Sequence, residues 1–185
     1  MLSFNNIILG AGQAGPSLAG RLTAAGQTVA LVERHLFGGT CVNTGCMPTK
    51  TLVASAQAAH VARRAADFGV MLDGDVCVDM KRVEARAAKV STDARAGVEG
   101  WLRGMQGCTV IHGQARFESP TTVRVGDEVL NAPRIFINVG GRAVVPNVPG
   151  VADVPYLTNT SMVALDVLPE HLLSLIHISE PTRPY

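Results

Sequence analysis

Aromatic residues are scarce in this chain: five Phe, two Tyr and one Trp among 185 residues. That leaves no stacking platform for single-stranded nucleic acid. An excess of one charge is missing too. The formal net charge is +1, which gives no electrostatic basis for holding nucleic acid or an anionic membrane surface. No apolar run approaches the length needed to span a bilayer. The N-terminus has no basic segment followed by an apolar one, and Asn5 and Asn6 lead at once into a glycine loop. No signal peptide is expected, and the expected compartment is the cytoplasm. Neither an internal repeat nor a low-complexity segment is present. Four cysteines are too few for a disulfide scaffold. In a reducing compartment a close pair points instead to redox chemistry or a metal. Cys77 and Cys108 stand alone and read as small apolar residues.

What is present is an α/β pattern. Ile7-Ile8-Leu9 is a short apolar run of buried-strand type. It enters Gly10-Ala11-Gly12-Gln13-Ala14-Gly15, a Gly-x-Gly-x-x-Gly loop. A helical pattern follows, with Leu18, Leu22 and Ala25 on one face, and Gly26 ends it. Thr28 to Val32 is a second β-rich run, closing on Glu33. This is a βαβ unit with an acid at the end of its second strand. Gly10 permits the tight turn, Gly12 lets backbone approach a pyrophosphate, and Gly15 lets helix and strand pack closely. The helix N-terminus faces phosphate charge, and Glu33 can accept ribose hydroxyls. Strand, helix, second strand and acid together favour dinucleotide binding over a glycine-rich turn of another kind. The loop suits FAD and a nicotinamide nucleotide equally, since both carry the same pyrophosphate and adenosine.

Gly38 to Lys50 comes next: Gly-Gly-Thr-Cys-Val-Asn-Thr-Gly-Cys-Met-Pro-Thr-Lys. On a regular helix, residues five apart lie about 140° apart around the axis and about 7.5 Å along it. Cys41 and Cys46 could not then be bridged, so a pair here requires an irregular segment, with Gly45 supplying the bend. A thiolate near a helix start is stabilised by unpaired N–H groups, and Lys50 could add positive charge nearby. Together these predict a lowered thiol pKa and a reactive dithiol. The other readings are an inert disulfide, two unpaired thiols, or a metal site. No further Cys or His lies at zinc-like spacing, so no metal site is assigned.

A helix is predicted over 49–67, with Gly69 as its stop and Ala56, Ala59 and Ala62 packing on a neighbour. His60 is given no role. A longer amphipathic helix is predicted from Asp79, with Met80, Val83, Ala87, Val90, Ala94, Val98, Trp101 and Met105 as one apolar stripe. Gly97 and Gly100 predict fraying or a break near its end. Beyond Gly107 the texture turns to β: strands at 109–112 and 115–118, and a hairpin of 123–125 with 128–130 about Gly126-Asp127. A last strand is predicted over 134–139, ending in Gly140-Gly141. The meander reads as an insertion in an otherwise parallel domain. From Pro146 a proline-rich linker follows, with one short helix expected within 161–171.

With these residues in view, the sequence resembles the class I pyridine nucleotide–disulfide oxidoreductases, over about residues 5 to 172. Members include dihydrolipoyl dehydrogenase, glutathione reductase and mercuric reductase. Gly38–Lys50 is similar to their redox-active disulfide motif. Gly10, Gly12, Gly15 and Glu33 match the adenosine-diphosphate site for FAD. Ile135 to Gly141 resembles the second FAD motif, and Gly113 and Ala115 match a point where backbone meets the FAD adenosine. The resemblance implies a Rossmann-like FAD-binding domain with an inserted β-meander over 1–148. Residues 149–172 would be a linker and the start of an NAD(P)-binding domain. It implies FAD as cofactor, held by Gly10, Gly12, Gly15, Glu33, Gly39, Thr40, Lys50, Gly113, Ala115, Gly140 and Gly141. Hydride would pass from NAD(P)H to the flavin, and electrons from the flavin to the disulfide. Cys46 would be the flavin-proximal sulfur, Cys41 the interchange sulfur that meets substrate, and Lys50 would lie near the flavin ring.

The wording around Val42–Ala56 is most similar to bacterial mercuric reductases and FAD-containing oxidoreductases. Thr44 and Met47 depart from the commonest dihydrolipoyl dehydrogenase wording. The implied reaction is reduction of Hg(II) or a related acceptor by a mercuric reductase-like enzyme. The alternative parent is dihydrolipoyl dehydrogenase or another disulfide reductase. A reading of another class is a non-catalytic FAD-binding module in which both cysteines are inert. The implied partners are a small-molecule or metal-ion substrate and, for a full-length protein, a second identical subunit. From Leu173 the string Leu-Ser-Leu-Ile-His-Ile-Ser-Glu-Pro-Thr-Arg-Pro-Tyr is similar to a translated sequencing adapter. It is expected to be non-native, and the fragment is expected to bind FAD weakly and not to turn over NAD(P)H.

Overall fold

The computed structural model describes residues 1–174. Of the string expected to be non-native, residues 175–185 lie outside the described residues. In chain order the elements are β1 (Leu2–Ser3), β2 (Asn6–Leu9), α1 (Ala14–Ala24), β3 (Val29–Glu33), α2 (Gly39–Asn43), α3 (Cys46–Arg63), α4 (Met80–Arg103), β4 (Cys108–His112), β5 (Ala115–Ser119), β6 (Thr122–Val125), β7 (Glu128–Asn131), β8 (Arg134–Ile137) and α5 (Asn159–Met162).

One sheet has the order β4-β3-β2-β8 and is parallel throughout. Its central strands are buried along their whole length. Side chains alternate between two faces of a strand, and here both faces are covered. Ile7, Leu9, Ala30 and Val32 pack against Val123, Val125, Leu130 and Ala132 of the meander region. Ile8, Val29 and Leu31 pack the other way, against Ala19 of α1 and Leu102 of α4. This is why both strands read as unbroken apolar runs rather than alternating ones. The second sheet, β1-β7-β6-β5, is the inserted meander with one addition. Strand β1 pairs in parallel with β7, Leu2 opposite Leu130, and nothing in its two side chains announces it.

Helix α4 starts as expected: the Asp79 side chain accepts from the Arg82 amide at 3.1 Å. It does not break at Gly97 or Gly100 but runs on to Arg103. The next residues explain this. Leu102 is fully buried and Val98 packs on the same core, while Arg103 pairs with Glu99. That anchoring outweighs the roughly 1 kcal/mol propensity cost of each glycine. The expected stripe also needs correction at its end, since Trp101 is 52% exposed and Leu102 is the buried anchor. Helix α3 begins at Cys46 rather than Thr49 and ends at Arg63, followed by a 3-10 turn over Ala65–Phe68. Pro48 sits in its first turn, where a missing N–H costs nothing. Ala59 and Ala62 are half-buried, but Ala56 is exposed. Cys108 packs on the helical side of the sheet, whereas Cys77 is exposed and does not behave as a core residue. Strand β8 stops at Ile137, two residues short of the expected end, and α5 begins before Ser161. Among the described residues no helix is long and apolar enough to cross a membrane.

Candidate nucleotide and dithiol site

Gly10 leaves β2 with φ +109°, and a Cβ there would run into the Asn138 carbonyl beyond β8. The loop is therefore seated against the end of β8, and the Asn138 amide closes the contact by donating to the Gly10 carbonyl at 3.3 Å. Gly15 packs against the Gly10 carbonyl, so its lack of a side chain serves helix–strand packing, as expected. Gly12 faces open space apart from the Asn138 amide nitrogen at 3.5 Å.

Glu33 ends β3 and is nearly buried at 9% exposure. Its two carboxylate oxygens accept separately: one from the Ala11 amide and one from the His35 amide, both at 2.8 Å. Each oxygen keeps a second lone pair for a ligand. The acid thus fixes the glycine loop as well as facing the cavity.

The next turn connects the loop to the cysteines. The Gly38 amide donates to the Ala11 carbonyl at 2.8 Å, and the Gln13 side chain donates to the Gly38 carbonyl at 3.2 Å. Gly39, at φ +61°, lies so close to Gly12 that a Cβ would sit 2.8 Å from the Gly12 Cα. Cys41 lies inside α2, Thr44 and Gly45 break the helix, and Cys46 is the first residue of α3. The irregular geometry that a cysteine pair requires is therefore present. Both carry free thiols, Cys41 half-buried and Cys46 exposed.

These pieces wall one cavity of about 910 Å³. Gly10 and Gly12 line it from the first loop, and Glu33 lines it from β3. Gly39, Thr40 and Cys41 come from α2, Gly113 and Ala115 from the β4–β5 turn, and Gly140 and Gly141 from the stretch after β8. Gly15, Cys46 and Lys50 are not in the wall. Asn138, Gln13, His35 and Gln114 line it without having been singled out from sequence. Asn43 lines it too, and was visible only as a member of the cysteine motif. The volume lies at the upper end for small-ligand clefts. Gly12, Gly140 and Gly141 leave bare backbone where a ligand would approach, and the start of α1 supplies free N–H groups. The residues present fit a dinucleotide such as FAD.

The Cys41 thiol is pushed above its ordinary pKa, first by hydrogen bonding with the Cys46 side chain, then by burial and by the charge of Cys46. Lys50 does act in the expected, lowering sense, but it is the weakest influence. A sulfur neighbour outweighs an exposed lysine because water screens the lysine.

Fold and site together define a dinucleotide-binding domain that presents one member of a cysteine pair, Cys41, at its ligand cavity. Residues 4–174 match the family model "Pyridine nucleotide-disulphide oxidoreductase", and the chain belongs to that family. A mercuric reductase of Shigella flexneri is 34% identical over 176 residues, covering 89% of this chain and 30% of that protein. A dihydrolipoyl dehydrogenase of Acholeplasma laidlawii is 36% identical over 147 residues, covering 80% of this chain and 44% of that protein. The Cu(II) complex of the HOCl-induced flavoprotein disulfide reductase RclA from Escherichia coli superposes with a TM-score of 0.76 at 35% identity. It covers 91% of this chain and 36% of that one. The chain is thus similar to three branches of the family to about the same degree, and it spans 30–44% of the length of these proteins. Proteins of this family are oxidoreductases that depend on FAD with NAD(P)H.

Proposed function

We propose that this chain is the FAD-binding, dithiol-bearing part of a flavoprotein disulfide reductase. The observation that carries the reading is the sharing of one cavity by the glycine loops and Cys41, with Cys46 opening the next helix just beyond the break at Thr44 and Gly45. When bound, FAD would supply two-electron transfer between NAD(P)H and the cysteine pair. The chain's own residues have distinct tasks. Gly10, Gly12 and the α1 start bind the pyrophosphate, with Gly15 holding that helix close. Glu33 accepts ribose hydroxyls with the lone pairs that Ala11 and His35 leave free. Gly113 and Ala115 border the adenosine end, while Gly39, Thr40, Gly140 and Gly141 let backbone approach the ligand. Cys41 and Cys46 lose two electrons and two protons to form a disulfide and regain them on reduction. In this reading Cys41, which lines the cavity, meets the substrate, while Cys46 and Lys50, which stand outside the cavity wall, would be the flavin-proximal sulfur and the lysine near the flavin ring.

The acceptor we propose is Hg(II) or a related species, with a lipoyl-type disulfide as the runner-up. Residues 1–148 form the FAD domain, and 149–172 lead toward an NAD(P)-binding domain. The whole enzyme would be a cytoplasmic homodimer, and this chain alone would not oxidise NAD(P)H. The test uses the chain with its cysteines oxidised by glutathione disulfide and then freed of it. Photochemically reduced FAD is added without any thiol reductant, and new thiols are located by alkylation and mass spectrometry. Thiols appearing at Cys41 and Cys46 are expected. Retention of FAD with no new thiols would mark a nucleotide-binding module with inert cysteines.

A further inference from the structure

Helix α2 spans five residues, Gly39–Asn43, far fewer than a helix needs to persist unaided. It has no side-chain cap at its start and no acid in its first turn. The side chain that bridges its two ends by hydrogen bonds is Asn43. Its amide nitrogen donates to two carbonyls of the preceding turn, Phe37 and Gly39, each at 2.9 Å. Its amide oxygen faces a guanidinium N–H of Arg95 from α4, at 3.5 Å. Donor meets acceptors on one side and acceptor meets donor on the other, so the amide is used at both ends. The turn it grips is the one that also receives the Gln13 side chain and packs on Gly12. Phe37 is nearly buried beneath it. Cys41 lies between the gripped turn and Asn43, and Cys46 begins the next helix three residues beyond. Among the described residues, no other side-chain hydrogen bond joins the start of α2 to its end.

We propose that Asn43 is a positioning residue that sets how readily Cys41 and Cys46 join, by clamping α2 closed against the nucleotide loop. The inference rests on the reading of these two cysteines as a redox pair. With the clamp in place, the two sulfurs are held at a high effective concentration. Without it, α2 samples open forms in which Cys41 is too far from Cys46 to be bridged. The equilibrium concerned is the exchange of the Cys41 and Cys46 thiols with glutathione disulfide. It gives one intramolecular disulfide and two glutathione thiols, so electrons and protons balance.

The experiment measures that equilibrium constant in the 185-residue chain, by acid quench and alkylation across a series of glutathione ratios. In Asn43→Asp the shape is kept and both N–H donors are lost, and the constant should fall at least tenfold. Leu130→Ala serves as the control, because it weakens the core beneath the meander, which contains neither Phe37 nor any residue of α2. While circular dichroism shows it folded, its constant should stay within twofold of the parent. An Asn43→Asp constant within twofold of the parent overturns the inference, as does an equal fall in Leu130→Ala. Should Asn43→Asp fail to fold, Arg95→Gln decides. A two- to threefold fall supports the clamp, and no change overturns it. Failure of the parent chain to form the disulfide at any ratio would instead overturn the redox reading itself.

Discussion

Residues 6–15 and residues 38–50 touch where Gly39 meets Gly12, and both contribute to the cavity. They are held by different means. The first is backbone pressed on backbone. Ile7 and Ile8 are fully buried, Gly10 abuts the Asn138 carbonyl, and Gly15 abuts Gly10. The second is a five-residue helix, a break and a helix start, secured by the Asn43, Gln13 and Arg95 side chains. Its sulfurs are half-buried and exposed. A phosphate site gains from rigid N–H groups that need no reorganisation, whereas a sulfur that exchanges with substrate has to stay reachable. The difference in construction follows from the difference in chemistry.

The contrast is most severely tested at Gly10. Gly10→Ala places a Cβ into the Asn138 carbonyl at a left-handed position, and should cost on the order of 3 kcal/mol of stability or more in urea unfolding. A loss below about 1 kcal/mol would mean that the loop is as yielding as the cysteine segment. Glu33→Gln ranks next. An amide can accept at one end only, so either the Ala11 or the His35 N–H loses its partner. The expected cost is about 1–3 kcal/mol, with weaker FAD binding followed by flavin fluorescence.

The cysteine segment should respond in reactivity rather than stability. Because Cys46 is the main cause of the raised Cys41 pKa, Cys46→Ala should move the pH midpoint of Cys41 alkylation downward. At neutral pH more of Cys41 is then thiolate, and iodoacetamide reacts faster. A midpoint that stays put would show that burial, not the second sulfur, governs Cys41. The smallest effect belongs to Lys50→Gln. Lys50 is the weakest of the influences on Cys41 and lowers its pKa, so its removal should raise the same midpoint slightly. A shift as large as that of Cys46→Ala would reverse the ranking of the two neighbours.

The βαβ unit was legible because its signals are local: an apolar run, three glycines at fixed spacing and an acid at a strand end. The cysteine motif was legible as a string, and its irregular backbone followed from the reach of a disulfide. What escaped was long-range. Asn138 supports Gly10 from the end of the neighbouring strand β8, 128 residues on in sequence, and β1 joins the meander by pairing with β7. Neither leaves a mark on nearby residues. The continuation of α4 through Gly97 and Gly100 escaped for a related reason. Propensity weighs each residue alone, while Leu102 draws its anchoring from a core assembled by β2, β3 and α1. The raised pKa of Cys41 was not legible because helix start and lysine were weighed without the adjoining sulfur.

Strand β2 lies between β3 and β8, and that placement bears on how the chain is made. Its first neighbour leaves the ribosome soon after it, whereas β8 follows only after the helices and the meander. Until then one edge of a mostly apolar strand has no hydrogen-bonding partner, which invites off-pathway pairing in a newborn chain. The Leu9 carbonyl and the Gly10 turn wait for Asn138 as well. The earliest residues of the nucleotide site are thus completed by one that lies 128 residues further along the chain, so the cavity cannot take its final shape until that residue has been made.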